Sequence, residues 1–115
     1  MDMADERSKL IKIDAEPKEV YDTLRGKSDF GDRVFSKFQM AGDSGFGLIV
    51  NEKYGGWRVN SDVAVIILII GEKDSSEIFI TTAGGAYGPA RVDLGIHRKL
   101  LNETEETLLK IFPKQ

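Results

Sequence analysis

The chain contains no cysteine. That excludes disulfides, Cys-ligated zinc, iron–sulfur clusters and thiol catalysis, and it fits a reducing cytosol. Histidine occurs once, at His97, so a mononuclear zinc site would have to complete its shell with carboxylates, and no metal is expected. Prolines number only three in 115 residues, which argues against a low-complexity or disordered chain. A long apolar run is also lacking. The longest, Val63 to Ile70, is less than half of the roughly 20 residues that a membrane-spanning helix needs, so no membrane partner is expected. Met1 to Arg7 are polar and lack the apolar stretch of a signal peptide, so they read as a frayed start of a cytoplasmic protein. Nor is there charge of one sign. Sixteen Lys and Arg face 19 Asp and Glu, for a net charge of -3 and a pI near 5.2, and without a basic face no nucleic-acid partner is expected. Gly-x-Ser-x-Gly, His-Glu-x-x-His and Ser-x-x-Lys motifs do not occur, so hydrolysis by an activated serine or a metal has nothing to carry it.

What is present is an ordinary globular composition, 41% hydrophobic and 30% charged, in a length that makes one domain over residues 1–115. Leu10, Ile11 and Ile13 suggest a short first strand. Pro17 suits a first helical position, and Val20, Tyr21 and Leu24 make an apolar stripe that stops at Gly26. Val34, Ser36, Phe38 and Met40 alternate with their neighbours, turn at Gly42 to Gly45, and return as Phe46, Leu48 and Val50, which predicts a hairpin running to Tyr54. From Trp57 a further strand runs to Ile70; its Val63–Ile70 portion is apolar on both faces and rich in β-branched residues. Ile78 to Thr82 is its antiparallel partner. Arg91, Asp93 and Gly95 alternate with Val92, Leu94 and Ile96, which predicts one last strand. His97, Leu100, Leu101, Thr104, Leu108, Ile111 and Phe112 then fall at helical spacings until Pro113. The expected fold is α+β: an antiparallel sheet of about five to six strands, in the order β-α-β-β-β-β-β-α, with both helices on one face.

Two resemblances follow from particular residues. The opening Ile13-Asp14-Ala15-Glu16-Pro17-Lys18-Glu19-Val20-Tyr21 resembles the start of the helix-grip, or START-like, superfamily, which implies a sheet closed around a terminal helix with an apolar ligand between them. Val50-Asn51-Glu52-Lys53-Tyr54, Asn60, the apolar strand, Gly84-Gly85 and Asp93-Leu94-Gly95 resemble an uncharacterised family of small bacterial α+β proteins of unknown function. The chain departs from that pattern in having Ala86-Tyr87-Gly88-Pro89 after the glycines, where a Ser-containing stretch usually follows. The resemblance implies a fold and supplies no catalytic residues.

Three groups of residues are candidate sites for a ligand or partner. Gly84 and Gly85, followed by Tyr87, form a glycine-rich stretch whose backbone N–H groups could cradle a phosphate. The spacing matches neither the dinucleotide fingerprint nor the P-loop, and positive φ for a bulge or turn accounts for the pair more simply. Glu52, Tyr54, Trp57 and Arg58, with Arg91 and Asp93, could line one mouth of the sheet, a Trp beside an Arg being a plausible partner anchor. The plainer account is a solvated hairpin end with Glu52 paired to Arg58. His97 could act as a general base with Asp93, but it shares the stripe of Leu100 and Leu101, which points to a packing or capping role in the first turn of the helix.

The functional expectation rests on coverage. Two helices can cover one face of such a sheet, while Val63–Ile70 is apolar on both. The chain is therefore expected to be a non-catalytic binding domain that forms a homodimer through its open sheet face, with Ile67 and Ile69 pointing outward. The alternative is a helix-grip-like domain that binds a small apolar ligand between walls of Tyr21, Phe38, Trp57 and Phe112. An enzyme using His97, Asp93 and Tyr87 is the third and least favoured reading. No catalytic residue and no cofactor are assigned.

Overall fold

The computed structural model describes residues 8–27, 30–54, 62–84 and 92–112, without the side chains of Tyr54, Asp62 and residues 92–97. The polar start at residues 1–7 lies outside the described residues. Seven elements follow one another: β1 (Ser8–Ile13), α1 (Pro17–Arg25), β2 (Asp32–Ala41), β3 (Ser44–Tyr54), β4 (Asp62–Glu72), β5 (Ser75–Gly84) and α2 (Val92–Ile111). The strands form one antiparallel sheet in the order β1-β5-β4-β3-β2. This is the expected α+β architecture with five strands. Strands β2 to β5 form a meander, and β1 closes it by pairing with β5. Since every neighbouring pair is antiparallel, β1 and β2 run the same way at opposite edges. Helix α1 carries the chain between those edges across one face.

Local sequence accounts for α1. Pro17 sits at its start, Glu19 lies at its positive end, and the N–H of Gly26 closes its last turn on the Asp22 carbonyl. Its stripe of Pro17, Val20, Tyr21 and Leu24 is buried. It lies close to the sheet because the floor beneath it is glycine. A Cβ at Gly45 would come 2.8 Å from Pro17 Cβ, and one at Gly47 would come 3.0 Å from the Tyr21 ring. The Ser76 hydroxyl donates to the Ala15 carbonyl at 2.6 Å in a buried position and ties β5 to the turn before the helix. Ser76→Ala should therefore cost about 1–3 kcal/mol, because the carbonyl loses a partner out of reach of water. Urea denaturation checks this; an unchanged midpoint would mean that the turn is held by other contacts.

Helix α2 packs Leu100, Thr104, Leu108 and Phe112, four residues apart, together with Leu101, against the same face. An ion pair of 2.7 Å from Lys9 to Glu105 holds it to β1. The strand predicted over 91–96 does not form: α2 begins at Val92, and Arg91 lies outside the described residues. The alternation that suggested a strand is ambiguous, since Val92 and Ile96 are four apart and continue the spacing of Leu100, Thr104 and Leu108. No turn residue separates Ile96 from His97, so helical period and chain continuity prevail over a short run of period two. His97 consequently lies in the second turn of the helix and not the first.

The core lies between the two helices and one sheet face, and includes Ile13, Ile49, Ile67, Ile69, Ile78 and Ile80 from the strands with Val20, Leu24, Leu101 and Leu108 from the helices. Along β4 the alternation is strict: Val63, Val65, Ile67 and Ile69 are buried, while Ala64, Ile66 and Leu68 are half-buried and Ile70 is exposed. Ile67 and Ile69, expected to point outward, are therefore core residues. An uninterrupted apolar run carries no parity of its own; register with β3 and β5 supplies it, pairing Ile67 with Ile49 and Ile80.

Candidate functional site

The candidate site is the sheet face turned away from the helices. Register places three rows across it. Leu10, Phe79, Leu68, Leu48 and Lys37 form the middle row; Lys12, Glu77, Ile70, Phe46 and Gln39 lie on one side; Ser8, Thr81, Ile66, Val50 and Phe35 lie on the other. Its centre is thus aliphatic and aromatic, and its charges stand at the rim. Phe35 is 48% exposed, Phe46 44%, Leu10 43% and Ile70 42%. A shallow apolar depression of about 270 Å³ opens among Phe35, Phe46, Leu48 and Leu68. Among the described residues no other element covers this face, and such a contiguous apolar surface marks an interaction site more often than a bare exterior. Among the described residues the surface offers burial and shape but no nucleophile, base or ligand donor at its centre.

The residues singled out from sequence are only partly placed. Glu52 is exposed on the rim of the open face, directly opposite Asp32 in the ladder. Tyr54 ends β3, and its side chain is outside the description. Trp57, Arg58, Gly85, Tyr87 and Arg91 lie outside the described residues, and Asp93 and His97 are placed as backbone positions of α2 alone. Gly84 ends β5 with a φ of 83°, a conformation that a Cβ disfavours. Gly84→Ala should therefore lower stability by about 1 kcal/mol or more, read as a fall in urea midpoint. A neutral substitution would show that the backbone there adapts freely.

A second, polar neighbourhood lies near the Tyr54 end of β3. Asn51 is fully buried; its Oδ1 accepts from Arg33 Nε at 2.9 Å while its Nδ2 is buried without a partner. Arg33 also donates to the Arg25 carbonyl. Lys53 and Glu103 stand 3.7 Å apart beside a groove of about 290 Å³ that Phe30, Thr104, Thr107 and Lys110 also line. Glu52 and Lys53, adjacent in sequence, thus serve opposite faces. Among the described residues no three His, Asp or Glu side chains gather into a group that could hold a metal ion, and no helix is long and apolar enough to cross a membrane.

Sequence reasoning missed the members of the open face, in β4 as well, where it named Ile67 and Ile69 in place of Ile66, Leu68 and Ile70. The signal was in the alternation of Phe46, Leu48 and Val50 against Gly47, Ile49 and Asn51, but the choice of inward set needs the position of α1. Comparison with protein-family models, curated proteins and solved structures finds no match, so the site stands on its own geometry.

Proposed function

We propose that the chain is a non-catalytic interaction domain that associates with a second copy of itself through the open sheet face. The observation that carries this is the apolar surface around Leu68, with Phe46, Leu48, Ile66, Ile70 and Phe79 about it. A second copy is the occupant the layout favours. Strand β4 is the middle of five, so a twofold axis through the centre of the face brings β4 onto β4 and apolar rows onto apolar rows. The rim carries both signs, Lys12 and Lys37 against Glu77 and Glu52, so two identical faces meet without a field of one sign. An apolar centre inside a polar rim is the anatomy of a stable interface, and twofold association is the commonest closed form. Both the cytoplasmic setting and the absence of chemistry belong to this reading.

A ligand held between helix and sheet has less to support it. Of its supposed walls, Tyr21 and Phe38 pack on each other with centroids 5.2 Å apart, and Phe112 is buried in the core cluster. The test is the mass in solution. Light scattering from 1 to 100 μM, a range set by micromolar-class affinities of about -8 kcal/mol, should give at least twice 12.8 kDa. A folded protein at 12.8 kDa throughout would end the proposal.

A further inference from the structure

The sheet has two edges, and they are guarded unequally. Strand β1 is six residues long, carries Lys9 and Lys12, and has α2 tied to it by the Lys9–Glu105 ion pair. Such charges and cover are the usual protection of an edge strand against pairing with another chain. Strand β2 is ten residues long and exposed along most of its length. Val34 is 56% exposed and Met40 51%. A register shift between Arg33 and Phe35 interrupts its start, which leaves Phe35–Ala41 as a regular stretch whose one charge is Lys37. Among the described residues nothing pairs with its outer side.

Register says which backbone groups that outer side presents. Ala41 and Ser44 close the two-residue turn Gly42-Asp43, in which Gly42 has a φ of 63°. The closing pair of such a hairpin exchanges hydrogen bonds, and the pattern alternates from there. Ala41, Gln39 and Lys37 therefore turn their N–H and C=O groups toward β3. Met40, Phe38 and Ser36 turn theirs outward.

We propose that this edge pairs with the same edge of a second copy, antiparallel about a twofold axis at Phe38, to form a continuous ten-stranded sheet. This goes beyond the open face and does not depend on it. The register follows from self-complementarity. Centring on Phe38 overlaps the whole regular stretch, with Phe35 against Ala41, Ser36 against Met40 and Lys37 against Gln39. Small residues meet large ones, the exposed Met40 lies beside a serine, and the lysine faces an amide. Two phenylalanines meet on the axis, a favourable cross-strand pair. Centring on Lys37 would set lysine directly against lysine, and centring on Gln39 would leave Phe35 and Ser36 unmatched. Only the Phe38 register joins outward backbone groups to outward groups over the full stretch without opposing like charges.

The experiment uses the chain's lack of cysteine, which makes the background zero. It is done in the Leu68→Lys variant, whose open face cannot associate, so that the two contacts are read separately. In that background Lys37→Cys and Gln39→Cys together should give a covalent dimer on mild oxidation. The two positions face each other across the new ladder as a pair without mutual hydrogen bonds, with Cα atoms about 4.5 Å apart, within the reach of a disulfide. Lys37→Cys alone should not cross-link, because two copies of position 37 are diagonal neighbours about 7–8 Å apart. Without any cysteine, the amides of Ser36, Phe38 and Met40 should exchange with deuterium more slowly at high than at low protein concentration. Equal cross-linking by the single and double variants would overturn the register. A monomeric Leu68→Lys protein with no cross-link in the double variant, and fast exchange at all three amides, would overturn the edge pairing and leave the open face to be judged by the wild-type mass alone.

Discussion

Replacing Ile67 by lysine should abolish folding, whereas the same replacement at Leu68, the next residue of β4, should leave a folded protein that no longer makes the proposed face-to-face contact. Ile67 is fully buried and stands in the ladder between Ile49 and Ile80, within a cluster whose other members are apolar but for the Tyr21 hydroxyl. Among the described residues an ammonium group there has no acid to pair with. Burying one costs several kcal/mol, to which the lost isoleucine packing adds, while the whole domain is held by about 5–15 kcal/mol. Leu68 stands between Leu48 and Phe79 on the half-buried side. A lysine there can lay its stem along its neighbours and keep its head in water, so the stability change should stay near 1 kcal/mol. What it cannot do is enter a dry interface close to its own twofold copy. Circular dichroism should show a native spectrum for Leu68→Lys and an unfolded one for Ile67→Lys, and light scattering should show the mass of Leu68→Lys halved. If Leu68→Lys unfolds as fully as Ile67→Lys, the face is not open; if it folds and its mass is unchanged, association runs elsewhere.

The contrast between these neighbours also shows where the sequence is legible. Alternation and turn residues placed the β2–β3 and β4–β5 hairpins, and Pro17 with the stripe to Leu24 placed α1, because each signal is local. In β4 the signal is silent: Val63–Ile70 is apolar at every position, and parity comes only from which face α1 and α2 cover. The start of α2 was hidden for a related reason. Six residues at which period two and a four-residue repeat coincide cannot choose between strand and helix, and the choice falls to the stripe that follows. Of the candidate residues, Glu52 is placed on the rim of the open face and Gly84 at a positive φ. The open face itself was anticipated by counting helices against sheet area. Its members Phe35, Phe46 and Phe79 were not, since an alternating strand does not announce which of its two sets is inward. Gly45 was read only as the end of a turn, and the close approach of α1 over Gly45 and Gly47 was hidden for the same reason: it depends on the helix above them.

Gly71→Ala should be strongly damaging for so small a change, costing about 3 kcal/mol or more. Gly71 lies in β4 opposite Gly45 and Ser76. A Cβ built there would overlap the Ser75 carbonyl oxygen and come 2.8 Å from the Ser76 Cα and 3.0 Å from Pro17 Cγ. Two of those neighbours are backbone of the paired strand. They cannot rotate away as a side chain can, so relief requires β4 and β5 to separate just where Ser76 holds the turn before α1. Gly47 provides the comparison. Its added methyl would meet Tyr21 at 3.0 Å and Phe38 at 3.3 Å, both ring atoms of side chains, so Gly47→Ala should cost about 1–2 kcal/mol, the lower part of the overpacking range. A smaller residue at position 38 should restore part of that loss, as coupling between touching residues requires. Pro17→Ala should not rescue Gly71→Ala, because it clears the ring and leaves the backbone in place. Urea denaturation of the four variants measures all of these costs on one scale. Rescue of Gly71→Ala by Pro17→Ala would show that the helix, and not the β4–β5 ladder, sets the limit at this position; equal losses at Gly47 and Gly71 would show that rings and backbone yield alike.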